Sequence, residues 1–159
     1  MKKILLLVFL GIFISGCGTS KAYHLIKPIE PKTAGWVGNP YWPQKVSNLQ
    51  PKFRWESKSN CTYDFIIYEA VMVEGMESGW DKVASPGEEV FYKEGIEKPE
   101  FILPIALKSG TDYVWSVRTR SSEGVSEWAT YDVKSKDFFN ISAGGTRIYR
   151  NVYFWIKTP

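Results

Sequence analysis

An all-β, two-sheet sandwich is the fold class this chain predicts, on three observations. The first is strict alternation over 113–120. Tyr113, Trp115, Val117 and Thr119 share one face, and Val114, Ser116, Arg118 and Arg120 share the other, the period-two pattern of a strand with one buried and one wet side. The second is Leu107, six residues ahead of Tyr113 across the turn Lys108-Ser109-Gly110-Thr111-Asp112. That spacing predicts a tyrosine corner, whose hydroxyl bonds back to nearby backbone at the edge of a β-sandwich. The third is composition: seven Trp, nine Tyr and nine Phe in 159 residues, residue types that favour strands. A hydrophobic fraction of 44% supports a packed core and argues against a disordered chain. The length fits one domain with appendages.

The chain opens with a leader. Met1-Lys2-Lys3 is basic, and Ile4 to Ile14 is an apolar run interrupted only by Gly11, too short to span a bilayer as a helix and suited to a signal-peptide core. Ile14-Ser15-Gly16-Cys17 then resembles the bacterial lipobox: an aliphatic residue, two small residues and a Cys. The alternative is an ordinary signal peptide with an incidental Cys. The resemblance implies cleavage after residue 16, attachment of diacylglycerol, with palmitate among its acyl chains, to the Cys17 thiol, and membrane attachment through that lipid. Gly18 stands where an Asp marks inner-membrane retention in Gram-negative lipoproteins, so the expected place is the cell envelope, at the outer membrane if the source is Gram-negative. A Gram-positive source would put the protein on the outer face of its single membrane.

Cleavage removes Lys2 and Lys3, so the formal charge falls by two from +3 to +1, and a nucleic-acid partner loses its electrostatic support. With Cys17 lipidated, Cys61 has no partner for an intrachain disulfide. It is expected to be a small buried residue rather than a reactive thiol, because nothing nearby in sequence would lower its pKa.

Residues 17–35 form a polar tether, with Pro28 and Pro31 favouring an extended path. The sandwich is expected over 36–136. Residues 36–51 read as an irregular lead-in with a first edge strand, where Pro is tolerated. Trp36, Tyr41 and Trp42 there either plug the bottom of the sandwich, the favoured reading, or form an exposed sugar-stacking platform. Phe53 and Trp55 alternate inward on the next strand. From Cys61 to Glu69 both faces are apolar, Tyr63, Phe65 and Ile67 against Ile66 and Tyr68, as for a central strand. Val71-Met72-Val73 could extend it, Trp80-Asp81-Lys82-Val83 could begin another short strand, and Ser85-Pro86-Gly87-Glu88 reads as a turn before a strand over 89–93. Glu74, Glu77, Asp81, Glu88 and Glu89 fit neither a calcium loop nor a catalytic carboxylate pair and read as solvated charge. A strand over 100–104, the 113–120 strand, a turn at Ser121-Ser122-Glu123-Gly124 and a return strand over 128–133 complete the series.

Phe53-x-Trp55, Tyr63-x-Phe65-x-Ile67, Leu103-Pro104, Leu107 with Tyr113-x-Trp115-x-Val117, and Gly124 with Ser126-Glu127-Trp128 together resemble a fibronectin type III domain. The resemblance covers roughly residues 45–135 and implies a seven-strand, two-sheet sandwich without a disulfide; residues 70–99 depart from it in length and pattern. It further implies that Arg118, Arg120 and Trp128 are similar to the Arg/Trp ladder of cytokine-receptor members of the fold, a stabilising device more than a binding one.

Residues 137–159 read as an extra C-terminal hairpin with a turn at Gly144-Gly145. Its strand puts Ile148, Val152, Phe154 and Ile156 on one face and Tyr149, Tyr153 and Trp155 on the other. A hairpin alone is marginal, so packing on the sandwich is expected. If exposed, Tyr149, Tyr153 and Trp155 would be the best interaction surface in the chain.

The chemistry of catalysis is missing from the pattern. His24, the one His, lies in the tether, which excludes a His-based triad or a His-rich metal site from the folded part. No phosphate-cradling glycine loop and no carboxylate pair stands out. Asn60-Cys61-Thr62 and Asn140-Ile141-Ser142 match glycosylation acceptors by chance. The expectation is therefore a non-catalytic, lipid-anchored module without cofactor or metal, meeting a protein or glycan partner in the envelope. Its alternative is a carbohydrate-binding module or an accessory subunit of a polysaccharide-processing system, resting on Trp36, Trp42, Trp80 and Trp155.

Overall fold

The computed structural model describes residues 23–31, 43–74, 82–134 and 149–159. Among the described residues there are twelve strands and no helix: β1 (Tyr23–His24), β2 (Pro28–Glu30), β3 (Gln44–Lys45), β4 (Lys52–Trp55), β5 (Thr62–Glu74), β6 (Lys82–Ile96), β7 (Glu100–Ile102), β8 (Asp112–Ser121), β9 (Gly124–Val125), β10 (Thr130–Lys134), β11 (Tyr149–Val152) and β12 (Phe154–Lys157). One sheet has the order β2-β4-β7 and a larger one β3-β12-β8-β5-β6, with β9 on β8; a third joins β1-β10-β11. All pairings are antiparallel except β12 with β3.

The first two sheets pack face to face as a β-sandwich, and aromatic rings fill the space between them. The ring of Phe53 on β4 lies 4.8 Å from Phe65 on β5 and 4.8 Å from Trp115 on β8. Trp55 meets Tyr63 edge-on at 5.4 Å, and Phe101 of β7 lies 5.2 Å from Phe65. Such pairs add to the burial of large apolar side chains, each worth about 1.5–3 kcal/mol. The inward alternation of Phe53 and Trp55 appears as read, and residues 63–67 are buried on both faces of β5.

The tyrosine corner is present. Leu107 is buried, and the Tyr113 hydroxyl accepts the Lys108 backbone N–H at 2.9 Å. The same five-residue device occurs at Tyr63, whose hydroxyl accepts the Lys58 N–H at 2.7 Å.

Residues 23–30 are not free tether as expected: β2 pairs with β4 in the sandwich, Ile26 joins the core, and β1, which holds His24, pairs with β10, so the one His lies on a strand of the folded part. Three further expectations are corrected. The face of β8 expected to be wet is dry over half its length: Val114 and Ser116 are fully buried. Val114 sits between Trp155 and Tyr68 on the flanking strands, and the Ser116 hydroxyl donates to the Ala129 carbonyl at 2.6 Å. Second, Ser85-Pro86-Gly87-Glu88 does not turn the chain. It lies inside β6, whose register with β5 slips between Tyr68↔Glu89 and Ala70↔Pro86. A bulge on an edge strand tolerates the missing Pro N–H, and a Cβ on Gly87 would lie 2.7 Å from the Glu69 carbonyl oxygen. Third, the C-terminal strands pack on the sandwich as expected, but not as one hairpin over 137–159. β11 pairs with β10 across 135–148, while β12 enters the large sheet beside β8, with Phe154 and Ile156 in the core. Thr158 then ties it to the tyrosine-corner turn, donating to the Lys108 carbonyl at 2.7 Å and accepting the Thr111 N–H at 2.9 Å.

Candidate functional site

The concentration of polar chemistry in the described structure lies on the outward face of the large sheet, centred on Asp64. Strand alternation turns Asp64 away from the core that holds Tyr63 and Phe65, and register places it opposite Arg118. Asp64 is nevertheless fully buried, so its charge requires partners.

Every acceptor site on Asp64 is filled. Oδ2 receives Arg118 Nε at 2.9 Å and Arg120 Nη2 at 2.8 Å; Oδ1 receives Arg120 Nε at 3.1 Å and the Gly95 backbone N–H at 3.3 Å. A carboxylate accepts about four hydrogen bonds, and the two-point grip of Arg120 is the strong bidentate geometry. Gly95 has a φ of +69°, a left-handed conformation that suits glycine; it lies beside the irregular pairing of β6 with Tyr63 and Phe65. Burial works to raise the Asp64 pKa, but the hydrogen bonds from Arg120, Arg118 and Gly95 outweigh it and hold the carboxyl below its ordinary value.

A ring of side chains closes over this centre. Arg118 lies over the Trp128 ring at 4.4 Å and donates to the Tyr92 hydroxyl at 3.1 Å. Tyr92 donates to Glu94 at 2.5 Å and meets Trp128 edge-on. Glu94 also pairs with Arg120 at 3.0 Å. The hydrogen bond to Glu94, with burial, raises the Tyr92 pKa. Further along the same face, Tyr68 stacks on Tyr153 at 6.2 Å, and Trp155 donates its indole N–H to Asp112 at 3.0 Å. Burial raises the pKa of both tyrosines.

The structure brings Arg118, Arg120 and Trp128 together, although Arg120 engages carboxylates instead of an indole. Tyr153 and Trp155 sit half-buried on this face. Trp55, Leu107 and Tyr113 are buried framework. Tyr149 lies in β11, and Cys17, Trp36, Trp42 and Trp80 lie outside the described residues. Cys61 is half-buried beside the core, its thiol directed at the Lys58 carbonyl. Asp64 is the residue that sequence reasoning missed. Its signal was there: a lone carboxylate inside Tyr63-Asp64-Phe65-Ile66-Ile67 needs a cationic partner if that strand is central.

The arrangement therefore defines an all-β sandwich whose main charged cluster is turned upon itself. The lone pairs of Asp64 are spent on its own chain, and among the described residues no group of His, Cys, Asp and Glu is placed to hold a metal ion. Comparison of the chain with family models, with curated proteins and with solved structures returned no match.

Proposed function

We propose that the chain is a non-catalytic, lipid-anchored interaction module of the bacterial cell envelope, with a fibronectin type III-like head. The observation that carries the reading is the order of parts. Ile14-Ser15-Gly16-Cys17 follows a basic start and an apolar run, and leads through a polar stretch to a sandwich whose charged cluster is internally satisfied. The strand order β2-β4-β7 facing β12-β8-β5-β6 supports the fibronectin-like reading. The internal pairing of Asp64, Arg118, Arg120 and Glu94 supports a structural role for those groups. Of the four residues on which the carbohydrate-binding alternative rests, Trp155 is engaged by Asp112, and Trp36, Trp42 and Trp80 lie outside the described residues.

Metabolic labelling with an alkynyl palmitate analogue tests the anchor. The native chain is expected to take up label and to fractionate with membranes. Cys17→Ser is expected to lose the label and remain an uncleaved precursor. An unlabelled native chain in the soluble fraction overturns the anchor. In-cell crosslinking that recovers no partner overturns the interaction role.

A further inference from the structure

β5 and β6 run past the rest of the sandwich. Pairing of β5 with β8 ends at Glu69↔Tyr113, whereas pairing with β6 continues from Ala70↔Pro86 through Val71↔Ser85, Met72↔Ala84 and Val73↔Val83 to Glu74↔Lys82. Over 70–74, therefore, no strand among the described residues occupies the edge of β5 that β8 fills lower down. The result is a two-stranded arm, which is marginal alone in water.

The exposed side chains of the arm are apolar and consecutive. Val71 is 48% exposed, Met72 42% and Val73 41%. Val71 and Val73 share one face and Met72 lies on the other. Ala84, opposite Met72, is buried while Met72 is not. No Pro, bulge or charge blunts β5 over 71–73, in contrast to the devices that protect free edges. β6 has such devices: Pro86, a bulge, and Glu88 and Glu89.

We propose that residues Ala70–Glu74 are a docking edge for an extended peptide segment of a protein partner, apolar at its centre and basic at its flanks. The inference rests on reading the chain as an interaction module and names the partner class. An added strand is the geometry that supplies cross-strand neighbours to Val71, Met72 and Val73 together; a partner laid on one face would reach Val71 and Val73 or Met72, but not all three. Charge selects the basic flanks. Glu69 and Glu74 bracket 70–73 along β5, and Glu88 and Glu89 follow Pro86 on β6; against them stand Lys82, opposite Glu74, and Lys108, paired with Glu69 at 2.7 Å, so four acidic residues outnumber two basic ones. A second copy would bring these carboxylates against their own kind.

The test uses the chain from residue 18 and a fluorescent peptide, Lys-Lys-Val-Thr-Ile-Thr-Val-Lys-Lys, followed by fluorescence anisotropy. Three results are expected: saturable binding; about tenfold or greater loss when the five central amides are N-methylated, since the ladder supplies affinity in strand addition; and a similar loss for Val71→Gln/Val73→Gln, a neutral change outside the core. Far-UV circular dichroism and the urea midpoint of that variant should match the native chain. Binding that is absent, or equal for the N-methylated peptide or the double variant, overturns the proposal. So does a dimer in sedimentation that Val71→Gln/Val73→Gln dissolves, which assigns the edge to a second copy. A partner still crosslinked in cells by the double variant removes the arm but keeps the interaction role.

Discussion

The two outward faces of the sandwich solve the same problem at different depths. On β2-β4-β7, Lys52 pairs with Glu100 at 2.7 Å and Arg54 with Glu30 at 3.2 Å, and all four side chains remain substantially in water. On the large sheet, Asp64 is sealed beneath Arg118, Arg120, Tyr92 and Trp128. Exposed pairs add little because water and salt already stabilise each partner. A buried charge is different: removing its partners or leaving them bare is costly even where the intact network is no better than an apolar one. The first face solvates the domain; the second locks β5, β6 and β8 in register.

Four substitutions sharpen or break this contrast. The largest effect is expected from Asp64→Ala, which leaves the Arg118 and Arg120 guanidinium groups without their central anion; loss of about 3–5 kcal/mol in urea unfolding is predicted. Trp128→Ala removes the ring beneath Arg118 and part of the cover over Tyr92, and should cost about 1 kcal/mol by the same assay. Tyr113→Phe deletes the acceptor of the Lys108 N–H, a loss of about 1 kcal/mol, and the tyrosine-corner turn should show faster amide exchange. The smallest effect is that of Lys52→Ala, whose unfolding midpoint should coincide with the native one within replicate scatter at 0.15 M salt. A Lys52→Ala loss rivalling that of Asp64→Ala would erase the distinction between the faces.

Much of the sandwich was legible because its signals are local. Leu107 and Tyr113 sit on either side of one turn, and Phe53-x-Trp55 and Tyr63-x-Phe65-x-Ile67 carry their period within a few residues. The pairing of Arg118 with Trp128 was also legible, since both flank one short turn and return. What failed was long-range. Ser85-Pro86-Gly87-Glu88 has every local mark of a turn, yet pairing with Val71 and Ala70 holds it in a strand. Phe154 and Ile156 were read as one side of a hairpin laid on the sandwich, whereas they enter its large sheet as a strand and pack beside Trp115. The Asp64 cluster joins residues 54 and 56 positions apart, and only the register of β5 with β8 brings them together. Sequence supplied both halves, an isolated acid in an apolar strand and two arginines facing outward, without the register that unites them.

The measurement that bears most directly on the central claim is the stability difference between the native chain and Asp64→Asn across pH. The folded-state pKa of Asp64 lies below the unfolded value of 3.8, so its charge stabilises the fold fully above about pH 4 and progressively less as pH falls through the lowered folded value. Urea unfolding from pH 7 to pH 3 in 0.5 M salt, which screens exposed pairs such as Lys52–Glu100, should show a large deficit for Asp64→Asn at neutral pH that narrows below about pH 4. A deficit that is negligible at pH 7, or unchanged across the range, would contradict a buried Asp64 carboxylate as the centre that holds the large sheet together.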